Sequence, residues 1–448
     1  MRGRDVLLGV LVMVLIGIAL FIPLAWYSAL PTVDREAPSS FDRATVAHGA
    51  QLAALGDCYE CHTADGGQAF AGGRALKTPF GTIHGTNITP DPETGIGGWS
   101  ETAFMRAMRE GVDREGRHLY PAFPYDHFNR MTDADLHALY AFLMTREPVR
   151  AETPPNDLPF PFNIRMLIAG WKLLYLDKQR FQPDHAQSEQ WNRGAYLVHG
   201  PSHCGACHTP RNFLGAEKRD HFLAGGVAEG WRAPALDRGS PAAVPWTAEA
   251  LFRYLATGRD FRHSVPAGPM APVVHHLAGA PESDVQAIAH YIASVGGEPS
   301  AERRASGQQV IARVDRDRER FAMPGGEARE GASAPAAGAP GGAAIYAGAC
   351  AACHDSAAQT PASSDAMHLA LSSAVRLSTP RNLVRIILDG IIPREGESGP
   401  WMPGFAGAFT DEQLNALIVH LRERFGPGRP WDNPRDEIAA VRKERRGS

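Results

Sequence analysis

The sequence predicts an all-α chain of three tandem domains behind an N-terminal transmembrane helix, on three observations. The six cysteines of the 448 residues fall into three identical local patterns: Cys58-Tyr59-Glu60-Cys61-His62, Cys204-Gly205-Ala206-Cys207-His208 and Cys350-Ala351-Ala352-Cys353-His354. Their first cysteines are separated by 146 residues in both intervals. That period is domain-sized, too long for a solenoid repeat, so each copy can carry its own core. Each pattern also follows a short amphipathic helix and precedes, after a Gly/Pro-rich stretch, a closing helix with a readable start.

The chain opens Met1-Arg2-Gly3-Arg4-Asp5 and then carries no charge from Val6 to Val33, with the strongly apolar part ending near Trp26. A spanning helix needs ~20 apolar residues, a signal-peptide core only ~7–15. Tyr27-Ser28-Ala29 breaks the small-x-small cleavage rule. Residues 1–30 therefore read as an uncleaved membrane anchor, with a cleaved signal as the alternative. Arg2 and Arg4 would keep the start cytoplasmic, and Trp26 and Tyr27 would mark the outer interface. Either way the remainder faces the periplasm of a bacterial inner membrane.

Residues 40–150 form the first expected domain, led by Arg43–Leu55 and closed by a helix capped at Thr132 that carries Leu136, Leu139, Tyr140 and Leu143. An apolar connecting segment, 151–185, holds Phe160, Phe162, Trp171, Leu173 and Leu174; it reads as packing between neighbours or as a surface resting on a membrane or partner. The second domain, 186–298, is led by Trp191–Val198 and closed by a helix with a capping box at Ser283–Gln286. Residues 299–342 run from charged Arg303–Glu319 into Ala/Gly/Pro-rich Gly325–Ala344, a composition expected to give a flexible linker that leaves the last domain tethered. The third domain, 343–430, ends in a helix with a capping box at Thr410–Gln413, and 431–448 reads as a charged tail. No run of alternating strands is predicted.

Cys-x-x-Cys-His is the attachment signature of c-type haem: two thiols form thioethers to the porphyrin, and the following histidine meets the iron. A zinc or thioredoxin-like pair would not repeat with a fixed histidine and no cysteine left over. The expected cofactors are three covalently bound haem c, attached through Cys58, Cys61, Cys204, Cys207, Cys350 and Cys353, with His62, His208 and His354 on iron. Met402 and Met270, in Pro/Gly-rich loops before the closing helices, are the expected sixth ligands of the third and second haems. At the equivalent place the first domain has Phe123, which cannot bind iron. Met131 is the substitute there, with His127 or an open iron as alternatives. The carbonyls of Pro79, Pro234 and Pro380 are candidate acceptors for the three imidazole N–H groups. A net charge of −4 excludes a basic nucleic-acid footprint, and neither a phosphate loop nor a nucleophile–base pair stands out, so no catalytic residue is expected.

Thr78-Pro79-Phe80-Gly81-Thr82-Ile83, Asn87-Ile88-Thr89-Pro90-Asp91, Gly97-Gly98-Trp99 and Leu119-Tyr120-Pro121 resemble the tri-haem cytochrome c subunit of bacterial membrane-bound dehydrogenases. So does Trp191–Val198 running into Cys204–Asn212. The likeness is strong over residues 40–296 and rests on the haem motif and Met402 over 343–425. It implies three class I cytochrome c-like domains and a non-catalytic electron-transfer subunit. The partner would be a quinoprotein, flavoprotein or molybdenum-hydroxylase catalytic subunit, and the electrons would reach ubiquinone or a terminal oxidase. Leu158–Asn163 favours the molybdenum-hydroxylase partners. Members often carry methionine where this chain has Phe123, so the sixth ligand of the first haem is not carried over. Two other readings remain: a peroxidase-like enzyme using an open first haem, and a haem subunit of a terminal oxidase complex.

Overall fold

Most of the uncharged N-terminal run lies in helix α1 (Gly3–Ala25), whose span Asp5–Pro23 is long and apolar enough to cross a membrane by length and composition. The computed structural model describes residues 3–263, 265–322, 341–355, 367–393 and 401–446. The chain divides into two units: Met1–Ser188 with Ala195–Ala206 and Asn212–Ala216, and Glu189–Gly194 with Cys207–Arg211 and Glu217–Ser448.

In the first unit, α2 (Arg43–Leu55) starts where Asp42 accepts the Thr45 amide and leads into the one-turn α3 (Cys58–His62). A two-stranded hairpin follows, β1 (Ala75–Thr78) and β2 (Gly81–His84), with Leu76 opposite Ile83. Then come α4 (Glu101–Glu110), α5 (Tyr125–Phe128), α6 (Asp133–Met144) and α7 (Leu167–Tyr175). Thr132 caps α6 as expected, accepting the Asp135 amide at 3.0 Å. Gly49 of α2 meets α6 so closely that a Cβ would stand 1.9 Å from the Ala138 carbonyl oxygen.

Helix α8 (Glu189–His199) and the one-turn α9 (Gly205–His208) carry the chain through the second motif. The second unit continues with β3 (Gly226–Ala228) and β4 (Trp231–Ala233), joined by Glu229 and Gly230, both at positive φ, as a tight hairpin needs. Helices α10 (Ala248–Thr257), α11 (Met270–Ala278) and α12 (Glu282–Gly296) close this part. The expected capping box at Ser283 does not form: α12 takes Pro281 at its cap, two residues earlier, and Ser283 is already helical. The hairpins are the departure from an all-α reading; strands this short leave no legible alternation.

The expected flexible linker is corrected over its first half. Residues Ala301–Ala322 form helix α13, and Val314 is buried in the core that follows the third motif. That core is built by α14 (Gly342–Ala349), α15 (Ala351–His354), α16 (Arg381–Asp389) and α17 (Asp411–Phe425). The capping box of α17, Thr410 with Gln413, forms as expected. The charged tail is also corrected: α18 (Pro434–Arg446) buries Ile438 and Val441 in the same core, at roughly 1.5–3 kcal/mol per such side chain. Most of Gly325–Ala344 lies outside the described residues. The core is docked, not loosely hung. Arg232 and Asn382 exchange two hydrogen bonds of 2.8 Å between β4 and α16, and Arg385 Nε donates to the Gly230 carbonyl at 3.0 Å.

Candidate haem-binding sites

The backbone builds the first two attachment motifs alike. Asp57 and His203, each just before a first cysteine, take left-handed conformations with φ 50° and 34°. After each motif the chain folds back the same way. The Gly72 amide donates to the His62 carbonyl and the Gly225 amide to the His208 carbonyl, both at 2.7 Å. Thr63 Oγ1 and Thr209 Oγ1 accept from the amides of Phe70 (3.0 Å) and Leu223 (3.2 Å).

A second recurrence covers all three motifs. Gly49, Gly194 and Gly342 each lie upstream of a first cysteine, and a Cβ on them would stand 1.9, 2.0 and 2.0 Å from the carbonyl oxygens of Ala138, Ala287 and Ala416. One turn beyond each carbonyl lies Phe142, Tyr291 or His420, whose Cβ is also within 2.8 Å of that position. Only glycine lets the leading helix approach its closing helix so closely. The signal was in the sequence as Gly49-Ala50-Gln51-Leu52, Gly194-Ala195-Tyr196-Leu197 and Gly342-Ala343-Ala344-Ile345. It lies outside the Cys-x-x-Cys-His motifs themselves and was not among the expected residues.

Each motif imidazole is prepared in the same sense. Nδ1–H of His62 donates to the Thr86 carbonyl at 2.6 Å, that of His208 to Pro234 at 2.7 Å, and that of His354 to Met367 at 3.0 Å. With the proton on Nδ1, the Nε2 lone pair is left for a metal. Burial lowers the pKa of all three rings, which favours the neutral form that binds iron. Pro234 was the expected acceptor. The expected Pro79 and Pro380 are replaced by Thr86 and Met367, because the chain after each motif returns to the ring by a different residue.

None of the six cysteines is in a disulfide. Burial pushes the Cys58 thiol up to about 12 and the Cys350 thiol to about 11. Two thiols and a neutral imidazole per motif fit haem c: the cysteines would hold the porphyrin edge and the histidine the iron, which when bound supplies one-electron chemistry.

The distal candidates are placed less uniformly. Met402 is half-buried against the core that also borders Cys350 and Met367, and it pairs with Ile391 through two backbone hydrogen bonds of 2.8 and 3.0 Å. Met270 is half-buried and is not in a loop as expected: it is the first residue of α11, after Pro269. Met131 is fully buried just before α6, its Cγ 4.0 Å from the place a Gly200 Cβ would occupy. Phe123 packs on Tyr125 and Phe128, filling with aromatic carbon the position where a thioether was expected. His127 is buried, and its Nδ1 lies 3.0 Å from the His199 carbonyl.

The first two motifs are also joined. His203 Nε2 donates to the Gly56 carbonyl at 3.1 Å. A Cβ on Gly56 would stand 3.2 Å from the Pro201 carbonyl oxygen and 3.4 Å from Cys58 Sγ. Chain leading into Cys58 therefore lies against chain leading into Cys204.

Comparison with known proteins agrees with this chemistry. Residues 46–147 match the family model described as cytochrome c, and 337–421 match that of cytochrome C oxidase, cbb3-type, subunit III. A nicotinate dehydrogenase subunit of Pseudomonas putida is 45% identical over 421 residues, 94% of this chain; the chain spans 34% of that protein's length. The fructose dehydrogenase cytochrome subunit of Gluconobacter japonicus is 36% identical over 399 residues, 87% of this chain and 81% of that one. The gluconate 2-dehydrogenase cytochrome c subunit of Pantoea cypripedii is 33% identical over 416 residues, 90% of each chain. The chain belongs to the family of cytochrome c subunits of dehydrogenases.

Proposed function

We propose that this chain is a tri-haem electron conduit with no substrate chemistry of its own, built as three cytochrome c domains on an uncleaved membrane anchor. Electrons enter from a periplasmic catalytic subunit and leave to ubiquinone or a terminal oxidase. The observation that carries this reading is the threefold imidazole arrangement, in which each motif histidine gives its N–H to a backbone carbonyl and keeps Nε2 for iron. The Gly56–His203 hydrogen bond supports direct passage between the first two haems. Met270 and Met402 are the proposed sixth ligands of the second and third haems, and Met131, a buried thioether, that of the first. The 45% identity to the nicotinate dehydrogenase protein favours a catalytic partner that oxidises an N-heterocycle such as nicotinate.

The test is to purify the native complex from membranes through a tag on this chain and identify the copurifying subunits. A substrate-oxidising subunit whose substrate reduces three haems per chain supports the proposal. Recovery with no dehydrogenase, or a haem count other than three, overturns it. The oxidase reading is favoured by the match of residues 337–421 alone, and copurification with a copper-haem oxidase would establish it instead.

A further inference from the structure

We propose that helix α7 and the loop before it form a second, interfacial membrane contact, laid into the same bilayer that α1 enters. The inference rests on the reading of α1 as an anchor and adds a surface to it.

Helix α7 carries its apolar residues on two faces. Ala169 and Trp171 point inward and are buried, while Met166, Leu167, Leu173 and Leu174 recur at helical spacing on the other side and are exposed. Leu173 and Leu174 are 61% and 70% exposed, and Phe160 in the preceding loop is 79% exposed, with Phe162 also open. Soluble surfaces rarely gather so many large apolar side chains in one place. From Leu158 to Leu176 the only charged residues are Arg165 and Lys172, so no carboxylate opposes lipid headgroups.

The bilayer is favoured as occupant by what lies on the stripe. Gly170 is on the outer face, between Leu167 and Leu173, and a Cβ there would stand 3.7 Å from the Phe21 ring in the last turns of α1. The spanning helix therefore leaves the body across this face. Both elements are fixed to the same body through one residue. His118 Nε2 donates to the Ala25 carbonyl at 2.8 Å, and its Nδ1 receives Lys172 Nζ at 3.0 Å. Lys172 also donates to the Glu110 and Gly111 carbonyls, each at 2.6 Å, and Trp171 Nε1 donates to the Leu214 carbonyl at 3.0 Å. Past the helix, Arg106 holds the Ser28 carbonyl at 2.8 Å. With the exit of α1 and the apolar stripe on one side of the body, a bilayer that takes up α1 meets Phe160, Phe162, Leu173 and Leu174.

The test uses the purified complex in vesicles of phosphatidylcholine and phosphatidylglycerol containing a lipid with a diazirine near the head of its acyl chain. After illumination, labelled peptides are mapped by mass spectrometry. Adducts on 160–174 as well as on α1 are expected. The doubly substituted Leu173→Asp, Leu174→Asp chain, checked for intact haem attachment by absorbance, should lose the first set several-fold and keep the second. Adducts confined to α1 overturn the proposal while leaving the anchor standing. Absence of label on α1 overturns the anchor itself. Cross-links from 160–174 to the catalytic subunit in place of lipid would assign the face to that subunit and also overturn it.

Discussion

His203 Nε2 and the Gly56 carbonyl oxygen lie 3.1 Å apart, which places the residue before Cys204 in hydrogen-bond contact with the residue two before Cys58. Bond by bond, this is a route from one attachment cysteine to the next with a single hydrogen bond in it. The His203 ring also meets Phe128 edge-on, with ring centroids 5.5 Å apart.

His203→Asn tests the route. Asparagine tolerates the left-handed backbone at this position but is too short to reach Gly56. Stability should fall by about 1 kcal/mol, the worth of one hydrogen bond. Electron re-equilibration between the first two haems after flash reduction should slow several-fold, with midpoint potentials unchanged. An unaltered rate would show that the hydrogen bond carries no coupling.

The distal assignments separate by substitution with leucine, which keeps bulk and removes the sulfur. Met402→Leu and Met270→Leu should each lower one haem potential by on the order of 0.1 V, a fraction of the ~0.8 V range that axial ligands command. Each should also let that ferrous haem bind carbon monoxide. Met131→Leu should do the same to the first haem; if its spectrum and potential stay fixed, His127→Ala is the next substitution to titrate.

The three close helix contacts make a packing prediction. Gly49→Val, Gly194→Val and Gly342→Val each drive a branched side chain into a backbone carbonyl. Each should cost about 3 kcal/mol or more, at the upper end for overpacking. Thermal unfolding should show loss confined to the part carrying the substitution, with haem yield falling there. A neutral effect at any of the three would mean that its helix pair can separate without harm.

Helix α13 yields to amide hydrogen exchange. Amides around Val314 should exchange on the timescale of the α17 core, and Val314→Ala should cost roughly 1–2 kcal/mol through the cavity it leaves. A freely tethered segment would exchange at once and be indifferent to the substitution.

What was legible in the sequence was what is local. Cys-x-x-Cys-His names a chemistry without any fold, and the Thr132 and Thr410 caps mark helix starts because capping spans only a few residues. Ser283 had the same form and failed, since Glu282 and Ser283 were already helical behind Pro281. Imidazole acceptors were legible once in three, at Pro234, because loop closure decides which carbonyl returns to the ring. The charged stretch Arg303–Glu319 read as flexible linker because its composition is poor in apolar residues, yet it is helical: Val314 is its buried apolar foothold, and the partner surface comes from residues far along the chain. The triple Gly-Ala-x-Leu/Ile signal was legible in principle, but its meaning depends on a carbonyl roughly 75–95 residues away in each copy.

The two hydrogen bonds between Arg232 and Asn382 fix the part that follows the third motif against the part that follows the second. A carrier on a loose arm ferries charge by swinging, and thicker solvent slows it. A carrier bolted to its neighbour passes charge across a constant gap, so glycerol should leave that step untouched. On the proposed conduit reading, diffusion would then matter only at the ends of the relay, where an electron donor and an acceptor would dock and leave.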